Sequence, residues 1–164
     1  MPALDTMIRL AEPWATYYAD SPRLQTGMTF AHLAGVLFGG GLAIASDAVT
    51  LRAARAHEKR AQLRHISKVH RSVLTGLGIT FLSGVLMAAA DLEFLGTSGI
   101  FWTKMALIGL LLANGAVIER TESALNATGT RFRERWTRLQ VTAIVSLALW
   151  FAVVLTGTML VDAS

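Results

Sequence analysis

The sequence predicts an all-α protein: a membrane-spanning up-down four-helix bundle preceded by an N-terminal interfacial amphipathic helix. Three observations carry that prediction. Four apolar runs have the length of roughly 20 residues that a bilayer core demands. Hydrophobic residues make up 53% of the chain and charged residues 16%, against about 25% charged in ordinary soluble domains, and mean hydropathy is +0.49. The basic residues also concentrate in alternate connections, as membrane topology requires. At 164 residues the whole chain, 1–164, is read as one membrane domain.

Residues 1–24 open the chain. Leu4, Met7, Ile8, Ala11, Ala15 and Tyr18 recur at helical spacing, and Trp14, Tyr17 and Tyr18 suit the headgroup region. The segment is expected to lie on the outer surface as an amphipathic helix, broken or kinked at Pro13. A frayed terminus is the plainer alternative. Asp5, Arg9, Glu12, Pro13 and Asp20 interrupt any cleavable signal-peptide core, so insertion is expected to use the spans themselves. Ser21-Pro22 then reads as the cap and first position of the helix that enters the membrane.

The spans follow at about 27–49, 72–90, 100–118 and 139–161. Gly35 and Gly39 form a GxxxG in the first, and Gly76, Thr80, Gly84 and Met87 form a small-residue stripe in the second. Such residues let helix backbones approach closely in lipid. Residues 50–71 hold Arg52, Arg55, Lys59, Arg60, Arg64, Lys68 and Arg71 against the single acid Glu58. Residues 119–138 hold Arg120, Arg131, Arg133, Arg135 and Arg138, whereas 91–99 carries Asp91 and Glu93 and no lysine or arginine. The positive-inside rule therefore places 50–71 and 119–138 in the cytoplasm. Both termini face outward, which in a bacterial inner membrane is the periplasm. His57, His65 and His70 read as part of a basic surface facing anionic headgroups. The sequence pI near 10.1 then needs no nucleic acid to explain it.

With no cysteine in the chain, disulfides, thiolate metal sites, iron–sulfur clusters and covalent c-type haem are excluded. Phosphate-binding glycine loops, HExxH and GxSxG are missing too.

Two polar residues stand inside the spans where an ionisable group is costly and marks a candidate site. His32 lies about five residues, ~8 Å, in from the outer boundary of the first span. Lys104 lies about four residues, ~6 Å, in from the outer end of the third, so the two can share one outer-leaflet site. The plain alternatives are a neutral imidazole bonded to a neighbour and a snorkelling lysine held at the rim by Asp91 or Glu93. His70, at the cytoplasmic mouth of the second span, is nearly a bilayer away. A di-haem b-type cytochrome needs four axial ligands, two near each face, and one span histidine does not supply them. A single haem b on His32 with an unusual second ligand stays open. Met28, Met87, Met105 and Met159, one per span and all in the outer third, add a Cu(I) alternative, although methionine is also ordinary core filler. Near the inner end, Asp47, Asn114 and His70 could cluster, with an ion pair from Asp47 to Arg52 or Arg71 as the simple reading.

The runs HLAGVLFGGGLAIASDAVTLR, TGLGITFLSGVLMAAAD and FWTKMALIGLLLANG resemble a broad class of small bacterial four-helix inner-membrane proteins. That class includes families without assigned function related in pattern to the CopD copper-resistance proteins. A fainter resemblance is to HemJ-type protoporphyrinogen oxidases, which share a first-span histidine and a lysine opening a later span after a tryptophan. The likeness extends from about 27 to 160. It implies haem association for His32 and Lys104 in the HemJ-like pattern, or copper handling near His32 and the outer methionines in the CopD-like pattern. The first inner loop departs from HemJ, and the length is short for CopD. The expected function is a redox or electron-transfer subunit with one haem or metal site. Since one haem cannot conduct electrons across a core of ~30 Å, a membrane or periplasmic protein partner, or a quinone, is implied. Copper handling and a structural accessory subunit of a larger membrane complex are the alternatives.

Overall fold

The structure, a computed structural model, describes residues 2–53, 56–127 and 132–162. It is all-helical: α1 (Pro2–Ala19), α2 (Pro22–Gly35), a π turn (Val36–Gly40), α3 (Gly41–Arg52), α4 (Ala56–Ala90), α5 (Leu92–Thr97), α6 (Gly99–Ala127) and α7 (Phe132–Asp162). Four stretches are long and apolar enough to cross a bilayer: Pro22–Arg52, Val69–Ala90, Gly99–Leu125 and Phe132–Asp162. Their large apolar side chains are widely exposed, among them Phe30, Leu37, Phe81, Phe151 and Leu155. A water-soluble monomer does not present so much contiguous apolar surface; a protein solvated by lipid does. The molecule is a membrane protein built as an up-down bundle.

The helices overrun the expected spans at one end. Much of the stretch 50–71, expected as a connection, continues α4, because AHEKRAQLRHISKVHR holds neither glycine nor proline to stop it. The side chains of Arg55, His57, Lys59, Arg60, Arg64, His65, Lys68 and Arg131 lie outside the described residues. At this end, here called the lower end, Ala53, Leu125, Trp136 and Leu139 form a buried apolar cluster with Ile118 and Phe132 against it. Phe132 stacks on Trp136, and Arg135 donates to the Ala124 carbonyl at 2.6 Å, locking α6 to α7.

The upper end carries α1 and α5. Ser21 and Pro22 cap and start α2 as expected, although the Ser21 side chain makes no capping bond. Instead Gln25 Nε2 donates to the Tyr18 and Ala19 carbonyls, satisfying the end of α1 from the helix that follows. α1 is not broken at Pro13. Pro13 is exposed, so the carbonyl whose partner it removes stays solvated.

α1 has three sides at 100° per residue. Asp5, Arg9, Glu12 and Thr16 share a polar stripe; Ile8, Ala11, Trp14, Ala15 and Tyr18 are half-buried; Leu10 and Tyr17 are exposed on a third side. Met7, expected with the packed stripe, is 56% exposed although its angle falls between those of Trp14 and Tyr18. The packed side rests on α4, where Trp14 Nε1 donates to the Leu86 carbonyl at 2.8 Å. A helix with one face to water, one to protein and one apolar face free fits the membrane interface.

The π turn decides how the first span meets its neighbours. α2 packs on α4, whereas α3 packs on both α4 and α7. The Gly39 and Gly76 backbones touch: a Cβ on Gly76 would stand 2.5 Å from Gly39 Cα. Gly40 faces the other way, its Cβ position 2.8 Å from the Trp150 ring on α7. One extra residue in the turn lets consecutive glycines serve two different helices.

The closest helix contacts fall into two groups. α6 packs along α7, while α1, α2, α4 and α5 pack among themselves. The two halves join through α3 against α7, through Trp150 on Gly40, and through His70 Nε2 to Glu119 at 3.9 Å. Every one of these joints lies at mid-depth or below.

Candidate functional site

In the upper half the facing walls carry His32 and Lys104. His32 comes from α2 and is half-buried against α4. Its Nδ1 lies 3.2 Å from Ser83 Oγ. The Ser83 hydroxyl donates to the Ile79 carbonyl at 2.6 Å, so its oxygen is left to accept from Nδ1–H. The same hydroxyl lies 3.1 Å from the Thr80 carbonyl. A neutral imidazole in this setting carries its proton on Nδ1 and its lone pair on Nε2. Gly84 makes room for it: a Cβ there would come within 3.1 Å of Cε1.

Lys104 comes from α6, and its side chain runs over Gly157 of α7, where a Cβ would meet Nζ at 3.3 Å. Nζ lies within Coulombic reach of the imidazole. The ion pair with Asp91 or Glu93 that the sequence allowed is not formed; among the described residues neither base has a carboxylate partner. Thus each base rests on a glycine, His32 on Gly84 of α4 and Lys104 on Gly157 of α7.

The methionines distribute differently. Met28 and Met87 are half-buried, but Met105 is 37% and Met159 48% exposed, on the outer surface of the bundle. No group of three histidine or acidic side chains able to hold a metal occurs among the described residues.

The lower polar residues form neither the cluster of Asp47, Asn114 and His70 that the sequence allowed nor the simpler ion pair of Asp47 with Arg52 or Arg71. Asp47 is buried on the side of α3 that faces Ser146 of α7, and Arg52 and Arg71 are exposed. Its Oδ2 has no hydrogen-bond partner. Asn114 Nδ2 donates to the Thr142 carbonyl at 3.0 Å. His70 instead turns to Glu119, with the buried Glu122 close by. The π turn accounts for the α3 side of the outcome, since it rotates α3 so that Asp47 faces α7 and leaves Arg52 outside. Ser83, Gly157, Ser146 and Glu122 were missed by sequence reasoning. Only Ser83 had a signal, as the neighbour of Gly84 in the small-residue stripe.

The fold and this pair of bases define a four-span membrane protein with one polar site in its upper half. Comparison with protein-family models, with curated proteins and with solved structures finds no match to this chain.

Proposed function

We propose that this is a bacterial inner-membrane subunit that holds one haem b in the outer leaflet, with His32 Nε2 as an axial ligand. Lys104 on the opposite wall is its second ligand or its neighbouring charge. The observation that carries the reading is the fixing of the imidazole: Nδ1 is bonded to Ser83 and the ring lies on Gly84. Anchoring one ring nitrogen so that the other faces outward is how proteins orient histidine ligands. The glycine under each base lets its side chain lie close against the neighbouring helix. Bound haem would supply one-electron chemistry; the chain's own contribution is ligation, orientation and exclusion of water. Electron exchange would use a membrane or periplasmic protein partner, or a quinone.

The basic connections support an orientation with 50–71 and 119–138 in the cytoplasm and both termini in the periplasm. Copper handling has less behind it, since Met105 and Met159 face outward.

The deciding measurement is an optical spectrum of the detergent-purified protein. A Soret band that disappears in His32→Ala and shifts in Lys104→Ala is expected. Copper with no haem, lost on mutating Met28 or Met87, would move the assignment to metal handling. A folded, colourless, metal-free protein would overturn the cofactor reading and leave a structural accessory role.

A further inference from the structure

The first span turns Gly35, Gly39 and Gly40 toward its neighbours in the bundle, and its other side carries a groove. Two cavities run along that side, about 530 Å³ beside Arg23, Thr26 and Gly27 and about 550 Å³ from Leu33 to Leu42, and Phe30 lines both. Every residue lining them belongs to Pro22–Leu42, so no other span contributes to the groove. Gly27, Ala34 and Gly41 recur along it every seven residues, two turns of helix. No side chain fills the space over the two glycines: a Cβ added at either would meet nothing within 4 Å. Phe30, Leu33 and Leu37 stand exposed beside them.

The groove is apolar along its length and charged at one end only. Arg23 stands second in a span that starts at Pro22, so its guanidinium lies at headgroup level and the groove descends from it into the hydrocarbon. From Phe30 to Gly41 is ~17 Å at the helical rise, close to the half of a ~30 Å core that one leaflet fills. Arg23 is exposed and forms no ion pair among the described residues, with Asp20 or any other acid. No acidic side chain lines either cavity, and none occurs between Ser21 and Ser46. A cation at headgroup level over an apolar trough matches an amphiphile with a negative head and a hydrocarbon tail. A guanidinium pairs with a phosphate through two parallel N–H donors. A second copy of the chain is a poorer occupant. A two-fold pair on this face sets identical patches against each other, which brings Arg23 toward Arg23 with no acid along the contact to balance them.

We propose that this groove is a binding site for an anionic phospholipid, whose phosphate pairs with Arg23 while one acyl chain lies over Gly27, Ala34 and Gly41, along Phe30, Leu33 and Leu37. His32 packs on Gly84 of α4 instead, so the lipid site stands apart from the cofactor reading and neither depends on the other.

The test uses the full-length chain in nanodiscs of phosphatidylcholine, doped with phosphatidylglycerol or phosphatidylcholine that carries a photoreactive diazirine in its tail. Adducts are mapped by mass spectrometry and scaled to those on Phe151 and Leu155, which are exposed on another span. The phosphatidylglycerol probe is expected to label the stretch Phe30–Leu42 about fivefold more than the phosphatidylcholine probe, the ratio that one basic residue gives at a lipid surface. Unlabelled phosphatidylglycerol should compete. Arg23→Gln should bring the two probes to parity, and Arg23→Lys should keep most of the preference. Gly41→Phe, which fills the groove with the charge intact, should remove the adducts from its lower part. Equal labelling by the two probes in the unmodified protein would overturn the proposal, whether or not the variants fold. So would a preference that survives in folded Arg23→Gln protein. Absence of adducts from this face with either probe would overturn it as well, and disulfide cross-linking of chains carrying Leu37→Cys would then identify a second copy as the occupant.

Discussion

Gly76 of α4 lies against Gly39 of the π turn so closely that a Cβ on Gly76 would stand 2.5 Å from both the Cα and the N of Gly39. Backbone cannot swing aside as a flexible side chain can. Gly76→Ala is therefore expected to destabilise the bundle by about 1–3 kcal/mol, the usual cost of overpacking. Gly78→Ala, two residues along, meets nothing within 4 Å and gains up to about 1 kcal/mol of helix propensity. Thermal unfolding of the two variants in detergent checks the contrast, and a Gly76→Ala protein as stable as Gly78→Ala would refute the close packing.

Ser83 and Gly84 orient His32 without touching a ligand. Ser83→Ala removes the acceptor of Nδ1–H, and Gly84→Val adds atoms where Cε1 now sits. Both should diminish or displace the Soret band of haem bound at His32, with Gly84→Val the more damaging. Helical circular dichroism should stay unchanged. Unaltered spectra in both variants would mean that the imidazole is not the ligand.

Trp150 and Gly40 join the two halves at mid-depth. Trp150→Ala empties the space of a large buried ring and should cost about 3–5 kcal/mol. Gly40→Leu pushes into the same ring, whose nearest carbon is 2.8 Å from the Cβ position. The double variant is expected to be more stable than the sum of the single losses, because the leucine then occupies the vacated space. A thermodynamic cycle with no coupling would argue against this joint.

Asp47 is buried facing the Ser146 hydroxyl of α7. Ser146→Ala removes the hydroxyl that faces the buried carboxyl and should cost about 1–3 kcal/mol. Ser146→Thr, which keeps a hydroxyl on the same helix face, should retain most of it. Equal melting of the two variants would show that the hydroxyl contributes nothing.

The chain has no cysteine, so single cysteines report topology directly. Cysteines at Glu93 and Asp20 should react with an impermeant maleimide added to intact cells. Those at Ser123 and Thr137 should react only after lysis. All four positions are exposed, and the reverse pattern would invert the proposed orientation.

The sequence by itself determined the class of the molecule. Four apolar runs of bilayer length leave a chain no alternative to membrane helices, since lipid offers no partner to a backbone polar group. It also placed His32 and Lys104 at one depth, because depth in a helix is only residue count multiplied by rise. Which way each residue faces is another matter. A single extra residue in a π turn rotates everything below it, and nothing in the run Gly39-Gly40-Gly41 fixes where that residue is inserted. Only the tertiary structure turned Asp47 toward Ser146 rather than an arginine, set Met105 and Met159 on the outside, and put His32 and Lys104 on opposite walls. Those outcomes depend on close backbone contact at Gly39–Gly76 and on Trp150 filling the space over Gly40. Such contacts exist only once the helices have met.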